Sequence, residues 1–430
     1  MPEREGDTIF ALSSGAPPAG IAVIRVSGPD AGAALHALAR RQPAPRIASV
    51  ALLKDPRDDV PLDRALLLWL PGPATVTGED MAELHCHGGR AVIAAVEDAL
   101  AAMPGLRRAE AGEFTRRAFA HGRMDLNAVE GLSDLLAAET QGQRRAALAM
   151  AEGHFSRRID GWRRTLLDLS AMAEAALDFS DEDDVPNAAI EQRIGAGIWD
   201  LARDVGAVLA APSAERLRDG VRVVLAGPPN AGKSTLLNAL VGREAAIVSD
   251  IAGTTRDRIE VPAAIGGTAF LFTDTAGLRD ETGDAIEAIG MERARAALDA
   301  ADVILWLGDA ADVPRADAIV IAAQSDRDHA SRPGLSLSAR TGEGMDMLIA
   351  MLRDHAATLL PREGDYALHA RQRQRVGQLW DHLETAAATS DLLVIAEDLR
   401  QARRTIDALT GQTGTEDMLD HLFSGFCIGK

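Results

Sequence analysis

The chain contains little cysteine and few aromatic residues. Of its 430 residues only Cys86 and Cys427 are cysteine, and aromatic residues make up 3%. A secreted fold held together by disulfides uses several cysteine pairs, so these counts favour a reducing compartment. We therefore expect a cytoplasmic protein.

Long apolar runs and a basic amino-terminal stretch are also missing. No run of about eighteen apolar residues occurs, and residues 1–10 are acidic and polar. A spanning helix and a secretion signal both require such features. We therefore expect a soluble, unexported protein with no membrane partner.

Basic residues are fewer than acidic ones. Lys and Arg total 45 against 64 Asp and Glu, which gives a net charge of -19. Broad binding to a phosphate backbone draws on clustered basic residues that release counterions. If nucleic acid is the substrate, we expect a partner protein to hold much of it.

The residue pattern changes along the chain. Its length suggests about three domains. Residues 1–121 mix short apolar runs with Gly and Pro, which favours a small α+β domain, and residues 122–217 show apolar residues at helical spacing. Strand and helix patterns alternate over 218–358, and 359–430 is again helical. The predicted fold is multidomain, with an N-terminal α+β domain, a central α-helical domain and an α/β P-loop domain inserted into it.

A complete phosphate-binding motif follows a strand-like run at Val221 to Ala226. Gly227-Pro228-Pro229-Asn230-Ala231-Gly232-Lys233-Ser234 has the Walker A spacing and leads into a predicted helix. Backbone N–H groups of such a loop surround phosphate oxygens, its lysine contacts the outer phosphates, and its serine binds Mg²⁺. The predicted GTP-binding residues here are Asn230, Ala231, Gly232, Lys233, Ser234 and Thr235.

Two further elements follow in the order that a GTPase requires. Gly253-Thr254-Thr255-Arg256-Asp257 offers Thr255 as a second Mg²⁺ ligand, and a strand ends in Asp274-Thr275-Ala276-Gly277. Asp274 is placed to hold Mg²⁺ through water, and Gly277 to sense the γ-phosphate. Leu278 stands where Ras-like enzymes carry a glutamine that orients water.

The base-reading motif is degraded. GTPases read guanine with Asn-Lys-x-Asp after a strand, and here Ile319 to Ala322 leads into Ala323-Gln324-Ser325-Asp326. Asp326 remains to accept hydrogen bonds from guanine, and a second base loop is intact as Ser338-Ala339-Arg340. The connections at 308–317 and 327–334 are too short for full crossover helices, which we expect to be trimmed or absent.

These motifs resemble the MnmE (TrmE) family of GTPases, which modify the wobble uridine of certain transfer RNAs. The resemblance rests on the Walker A loop with 249–257, and on three stretches outside the GTPase domain. Those stretches are Thr77-Gly78-Glu79-Asp80 with Glu83-Leu84-His85-Cys86-His87-Gly88-Gly89, Gly112-Glu113-Phe114-Thr115 with Arg117-Ala118-Phe119, and Phe426-Cys427-Ile428-Gly429-Lys430. The family implies a homodimer, a flavoprotein partner called MnmG (GidA), and a tRNA substrate.

The family also implies a K⁺ ion against the phosphates. Its ligands would be Asn230, Ser249, Ile251 and Thr254. The loop that carries them, Ser249, Asp250, Ile251, Ala252, Gly253, Thr254 and Thr255, is predicted to bind GTP, as are Asp274, Thr275, Ala276, Gly277, Asp326, Ser338, Ala339 and Arg340. Glu287, ahead of Ala288-Ile289-Gly290, matches the family's water-positioning glutamate. From the residues alone, Asn230 also suits a turn cap, and Glu287 an ordinary helix-surface acid.

An N-terminal tetrahydrofolate-binding-like domain is the family's third implication. Arg25, Glu83, Arg123 and Lys430 match contacts to 5-formyl- or methylene-tetrahydrofolate, and Cys427 is a candidate catalytic thiol. Arg123 replaces a more usual lysine, and Ala16-Pro17-Pro18-Ala19 replaces a Gly-Arg-Gly-Gly turn.

Two further groups have alternative interpretations. His85 and His87 around Cys86 are zinc-ligand types, but further ligands at suitable spacing are missing, which favours structural or pocket-lining histidines. Arginines between 371 and 404 suit a solvated helix face better than an RNA contact surface.

Three functions are compatible with parts of this pattern. The first is a GTPase that couples GTP hydrolysis to folate-dependent modification of tRNA uridine. The second is an Era-like ribosome-assembly GTPase, and the third a folate aminomethyltransferase with a vestigial GTPase domain. The tail 426–430 and the His-Gly-Gly and Gly-Glu-Phe-Thr stretches argue against the second. The intact Walker A motif and Glu287 argue against the third.

Glu287→Ala is predicted to keep GTP binding and lose most of the hydrolysis, because Leu278 cannot orient water. Nucleotide titrations and phosphate-release rates would measure both effects. Asp284→Ala is the matched control; if that variant loses the activity instead, the role belongs to Asp284.

Overall fold

The computed structural model describes residues 6–178, 187–210, 214–243, 260–274, 292, 294–326, 333–361, 367–411 and 416–429. The chain divides into two compact units. Unit 1 combines Met1–Ser133 with Asp407–Lys430, and unit 2 is Asp134–Ile406. Unit 2 is therefore inserted into the sequence of unit 1, while the four-segment division given above stays a prediction.

Unit 1 contains a six-stranded sheet in the order β3-β4-β5-β2-β1-β6. Its pairs are antiparallel except β1 with β6. The strands are β1 Thr8–Leu12, β2 Ala19–Ser27, β3 Ser49–Lys54, β4 Pro61–Leu70, β5 Met81–Gly88 and β6 Leu106–Arg108. The α+β character predicted for this region is thus observed.

Apolar and polar residues alternate along these strands, which gives the sheet a core face and a polar face. In β2, Ile24 and Val26 are buried in a cluster that also contains Leu35 and Val96, whereas Arg25 between them is half-buried. Side chains of successive strand residues point to opposite faces, so the apolar set packs against helices and leaves Arg25 on the other face. The helices are α1 Ala31–Ala39 and α2 Arg90–Ala101.

A second cluster of unit 1 joins its two sequence segments. Phe423 and Phe426 pack against Val129 and Phe119, with ring centroids of Phe119 and Phe423 6.3 Å apart. Gly112 has φ 68°, and a Cβ there would lie 2.3 Å from the Phe423 carbonyl oxygen, so only glycine permits this approach. The helices are α3 Glu113–Ala120, α4 Leu126–Ala137 and α14 Glu416–Ser424.

Unit 2 contains long amphipathic helices and a second sheet. Helices α6 and α7 bury Ile159, Leu166, Ile194 and Ile198, the apolar positions that recur at helical spacing. The helices are α5 Gln141–Ala151, α6 His154–Asp178, α7 Asn187–Leu209, α8 Ala214–Asp219, α9 Lys233–Arg243, α10 at 294–300, α11 Met345–Leu359, α12 Ala370–Ala387 and α13 Leu392–Thr410.

The second sheet has the order β12-β11-β10-β7-β9-β8, parallel except for β8 with β9. Its strands are β7 Val221–Ala226, β8 Glu260–Ile265, β9 Thr268–Asp274, β10 Val303–Trp306, β11 Ile319–Ala323 and β12 Leu335–Leu337. Strand β7 occupies the point where the strand order reverses, and open parallel sheets bind ligands at the carboxyl ends of the strands there. The predicted strand Val221–Ala226 is confirmed.

The connection between β10 and β11 is trimmed, as predicted. Instead of a crossover helix it has one 3₁₀ turn at Ala310–Asp312. The Trp306 indole donates to the Asp309 carbonyl oxygen at 2.8 Å, and Arg315 donates to the Ala301 carbonyl oxygen at 3.0 Å, just after α10. Each of these hydrogen bonds gives a backbone carbonyl oxygen a side-chain partner. The other short connection lies largely outside the described residues.

Within the ranges that the structure describes, none of the helices combines the length and apolar character needed to cross a bilayer.

A partly buried ionic network ties the amino-terminal strand to α3. Arg107 donates to Asp7 at 2.6 Å and to Glu113 at 2.8 Å, and Arg117 donates to Asp7 at 2.6 Å and to Glu79 at 3.1 Å. Burial raises the pKa of the Asp7 and Glu113 carboxyls, but the arginines outweigh it and hold both pKa values below their usual range. Both carboxyls are therefore ionised at neutral pH.

Arg117→Met is predicted to destabilise unit 1 by roughly 1 to 3 kcal/mol at pH 7, because it leaves Glu79 without its arginine and leaves Asp7 and Glu113 to share Arg107 alone. Carboxyls with a lowered pKa stabilise the fold above their unfolded pKa and lose that effect as the pH falls. The gap between variant and wild type should thus shrink below about pH 4.

Hydrogen exchange of β1 and β2 amides under increasing urea would measure this difference. Arg40→Met is the matched control, because the Arg40–Asp59 pair of unit 1 is exposed, with side chains 55% and 56% accessible. Equal losses in the two variants, or a gap independent of pH, would contradict the prediction.

Candidate functional site

The Walker A loop connects β7 to α9 with the conformation that its glycines permit. Gly227 has φ 147° and Gly232 has φ 97°, and a Cβ on Gly227 would lie 2.9 Å from the Leu307 carbonyl oxygen. Asn230 is also left-handed, with φ 60°. Helix α9 starts at Lys233, so its free N–H groups and positive dipole end face this loop, as an anion site requires.

Lys233 is almost fully buried, with 5% of its surface accessible. Its ammonium group donates to the carbonyl oxygens of Gly227 at 3.0 Å and Pro228 at 2.9 Å. The cation thus lies inside the loop, where phosphate oxygens can replace carbonyl oxygens as its partners.

The two predicted magnesium-site residues of the described chain converge. Ser234 donates from Oγ to Asp274 Oδ2 at 2.5 Å, and Asp274 retains 9% of its accessible surface. They meet because β7 and β9 are parallel neighbours, with Leu225 opposite Asp274, and both carboxyl ends reach one edge of the sheet. A hydroxyl and a carboxylate are hard oxygen ligands, so this pair fits Mg²⁺.

The base-reading residues lie after β11 and β12. Asp326 accepts from Ser338 Oγ at 2.7 Å and from Arg340 Nε at 2.9 Å, and its side chain is 11% accessible. The hydrogen bond from Ser338, followed by that from Arg340, lowers the pKa of Asp326 despite partial burial. Asp326 is therefore an ionised acceptor, as guanine recognition requires.

The first two positions of the base-reading motif are Ala323 and Gln324, in place of asparagine and lysine. Ala323 ends β11 and has no side-chain donor. Gln324 is left-handed, with φ 62°, and its Nε2 lies 3.5 Å from the position that a Cβ on Gly232 would take. Its amide is thus directed to the Walker A loop.

A cavity of about 510 Å³ adjoins the Walker A loop, a size in the range of ligand pockets. It lies beside the trimmed connection after β10, whose residues were not predicted to belong to the nucleotide site. Its walls are Pro228, Asn230, Ala231, Leu307, Gly308, Asp309, Ala310, Ile321, Ala322, Ala323, Gln324 and Pro333.

Several predicted site residues lie outside the described residues. They are Ser249, Asp250, Ile251, Ala252, Gly253, Thr254, Thr255, Thr275, Ala276, Gly277, Glu287 and Lys430. Of the predicted K⁺ ligands, the described part of the chain therefore contains Asn230 alone. Thr235 and Ala339 are described, on α9 and after β12.

Two predicted folate contacts meet on the polar face of the unit 1 sheet. Arg25 and Glu83 are register partners on β2 and β5, and Arg25 Nε donates to Glu83 Oε1 at 2.9 Å. Glu83 Oε2 lies 3.1 Å from His85 Nε2. Burial raises the pKa of Glu83, but Arg25 and His85 outweigh it, so the net pKa is lowered and Glu83 is ionised.

The third predicted folate contact, Arg123, binds the loop at 75–79, and this loop is hydrogen-bonded to β2. Arg123 Nε donates to the Thr75 carbonyl oxygen at 3.1 Å, and Thr77 Oγ1 lies 2.7 Å from Ser27 Oγ on β2. Glu79 links the same loop to Arg117. The sequence predicted no individual role for Thr77, Glu79 or Arg117. These residues appeared there only as part of the motifs on which the family resemblance rests.

The carboxyl-terminal residues of unit 1 dock beside β1. Ile428 forms an antiparallel bridge with Ala111. Gly429 has φ 95°, and a Cβ there would lie 2.2 Å from the Leu12 carbonyl oxygen, so the backbone touches the strand next to β2. Cys427 is exposed, as a reacting thiol would need to be.

Cys86 and the two histidines beside it lie on opposite faces of the unit 1 sheet. Cys86 faces the core, where burial raises its thiol pKa to about 12, while His85 and His87 face the other way and pair with Glu83 and Asp63. Across the described ranges no cluster of three or more His, Cys, Asp or Glu could hold a metal ion.

Two family models together match most of the chain. The family model of the GTP-binding protein TrmE N-terminus matches residues 8–123, and that of the MnmE helical domain matches residues 126–427. Among solved structures, the G domain of the T. maritima FeoB iron transporter aligns at 25% identity over 32% of this chain and 98% of that one, with a TM-score of 0.23.

Curated relatives are similar over nearly their full length. A tRNA modification GTPase MnmE of Rhizorhabdus wittichii is 60% identical over 429 residues, which cover 99% of this chain and 97% of the relative. The protein of the same name from Novosphingobium aromaticivorans is 59% identical, over 99% of this chain and 100% of the relative. The chain therefore belongs to the MnmE (TrmE) family of tRNA modification GTPases.

Proposed function

We propose that this chain is a K⁺-activated GTPase that, as a homodimer with the flavoprotein MnmG, modifies C5 of the wobble uridine of certain tRNAs in the cytoplasm. The added group is carboxymethylaminomethyl or aminomethyl, and a tetrahydrofolate supplies one carbon. The observation that carries this proposal is the convergence of Lys233, Ser234 and Asp274 at the edge of the unit 2 sheet. The relatives' printed name supports the tRNA substrate.

In hydrolysis, water attacks the γ-phosphorus and the bond to the β,γ-bridging oxygen breaks, which gives GDP and phosphate. Lys233 and the N–H groups at the start of α9 bind the phosphates and stabilise the negative charge that develops on them. Ser234 and Asp274 would hold Mg²⁺, which neutralises phosphate charge when bound. Glu287 would orient the water.

The unit 1 site is assigned to the folate. Glu83, ionised beside Arg25, can accept hydrogen bonds from adjacent N–H groups of a pterin ring. Arg25 and Arg123 supply cations for carboxylate groups. The docked tail places the backbone of Gly429 against Leu12 on β1, whose register partner on β2 is Ile24, the neighbour of Arg25.

Mass spectrometry of wobble uridines in tRNA tests the whole function. Cells lacking the protein should lose the modified nucleoside, wild-type protein should restore it, and Lys233→Ala should not. Unchanged nucleosides combined with altered ribosomal subunit profiles would favour the ribosome-assembly alternative.

K⁺ is predicted to accelerate hydrolysis by roughly 10²- to 10³-fold over Na⁺ at matched ionic strength, as electrostatic elements of this type do. Asn230→Gly should abolish most of the difference, because glycine accepts the left-handed backbone of Asn230 and removes its amide oxygen. Equal turnover in both salts would exclude a K⁺ site.

Asp326→Asn is predicted to shift preference from GTP towards XTP, because an amide can donate to the C2 carbonyl of xanthine. Guanine remains preferred in the wild type, but with a narrower margin than in a relative with Asn-Lys-x-Asp. The hydrogen bond lost at Ala323 costs roughly 5- to 150-fold in affinity. Parallel titrations of GTP, ITP, XTP and ATP measure the ranking.

The control for that substitution is Asp317→Asn, since Asp317 is ion-paired with Arg315 at 2.6 Å at the end of the trimmed connection. A ranking unchanged by Asp326→Asn would remove Asp326 as the base reader.

Gly429→Ala, like deletion of 428–430, is predicted to weaken folate binding while the GTPase rate stays unchanged. The added methyl group would collide with the Leu12 carbonyl oxygen and release the tail. Gly425→Ala is the matched control, because a Cβ there meets its nearest atom at 3.4 Å. Folate titrations that show equal affinity for all three proteins would refute the tail contact.

A further inference from the structure

The loss of asparagine and lysine from the base-reading motif removes hydrogen-bond donors from the nucleotide site. Asp326 can satisfy only the N–H donors of guanine, at N1 and the 2-amino group, because an ionised carboxylate has no donor of its own. The acceptor edge of guanine, O6 and N7, still needs donors. Ala323 supplies none, and Gln324 directs its amide to the Walker A loop near Gly232.

Besides Ser338, whose hydroxyl donates to Asp326, Arg340 is a side chain with donors next to the base reader. It binds Asp326 through Nε at 2.9 Å. No hydrogen bond of its two terminal nitrogens to the rest of the described chain is observed, and 75% of its side chain is accessible. Arginine presents five N–H groups in a rigid planar fork, so one edge can hold the carboxylate while the other contacts a second group.

We infer that Arg340 determines guanine specificity in this chain by donating from its terminal nitrogens to the O6/N7 edge of the base, while Asp326 holds the guanidinium and reads N1 and N2. The inference rests on the proposed GTPase function and assigns a residue to the recognition step. Arginine against O6 and N7 is the commonest base-specific contact to guanine in DNA complexes, which shows that the two shapes are complementary.

Ser338 supports this arrangement from the other side of the carboxylate. Its hydroxyl holds Oδ1 at 2.7 Å and also accepts from the Thr341 N–H at 3.2 Å. The loop that carries Arg340 is closed by Ser338 N–H to the Glu343 carbonyl oxygen at 3.0 Å and Gly342 N–H to the Ser338 carbonyl oxygen at 2.8 Å. A rigid loop and a held carboxylate fix where the guanidinium lies.

The test pairs Arg340→Ala in the full chain with three nucleotides. GTP carries O6 and the 2-amino group, ITP keeps O6 without the amino group, and 2-aminopurine riboside triphosphate keeps the amino group without O6. Arg340→Ala should weaken GTP and ITP by at least about fivefold. It should weaken 2-aminopurine riboside triphosphate less than GTP and ITP, because that nucleotide keeps N7 but has no contact to O6 to lose.

Arg340→Lys is the conservative variant. Lysine keeps the positive charge but replaces the planar fork with a single point charge. It should therefore still lose affinity for GTP and ITP relative to wild type. Arg203→Ala is the matched control, since Arg203 forms an exposed ion pair with Asp200 at 2.8 Å on α7, with 80% of its side chain accessible.

Equal losses for the three nucleotides, or no loss for any, would overturn the inference, because neither depends on O6. Wild-type protein that binds no GTP would instead refute the proposed GTPase function. The backbone N–H groups of the loop are unchanged by these substitutions, so the comparison isolates the Arg340 side chain.

Discussion

The nucleotide site of unit 2 depends on the parallel pairing of β7 with β9. That pairing places Leu225 opposite Asp274 and brings two strand ends to one edge of the sheet, so that Ser234 and Asp274 meet at 2.5 Å. The residues are forty positions apart in sequence, and no local interaction could hold them together. A shift of one residue in the register would also turn the alternate side chains of β9 to the other face.

Sequence reasoning could predict the parts of this site that are local. The Walker A motif requires a strand, a turn built on glycines and a helix start, and β7, Gly227 and Lys233 supply them in consecutive positions. The trimmed connection after β10 was also predictable, because ten residues cannot form a crossover with a full helix. The number of residues in the connection alone determines that result.

Contacts between distant segments were not predictable in the same way. Nothing in the sequence around Arg340 indicates that its guanidinium binds Asp326. The same spacing fits an arginine that is fully exposed and an arginine in an ion pair. The network of Asp7, Arg107, Glu113 and Arg117 likewise joins residues up to 110 positions apart. Such pairs form when the sheet brings β1, β6 and α3 together, and only tertiary structure specifies their partners.

The inserted position of unit 2 has a consequence for the order of folding. Phe423, Phe426 and Gly429 complete unit 1, yet they are synthesised after all of Asp134–Ile406. Domains generally fold as units during synthesis, so unit 2 can fold while Phe119, Val129 and the carbonyl of Leu12 still lack their partners. Until the last segment arrives, unit 1 is a partly finished structure with exposed apolar surface, and a nascent chain is most prone to aggregate in this interval.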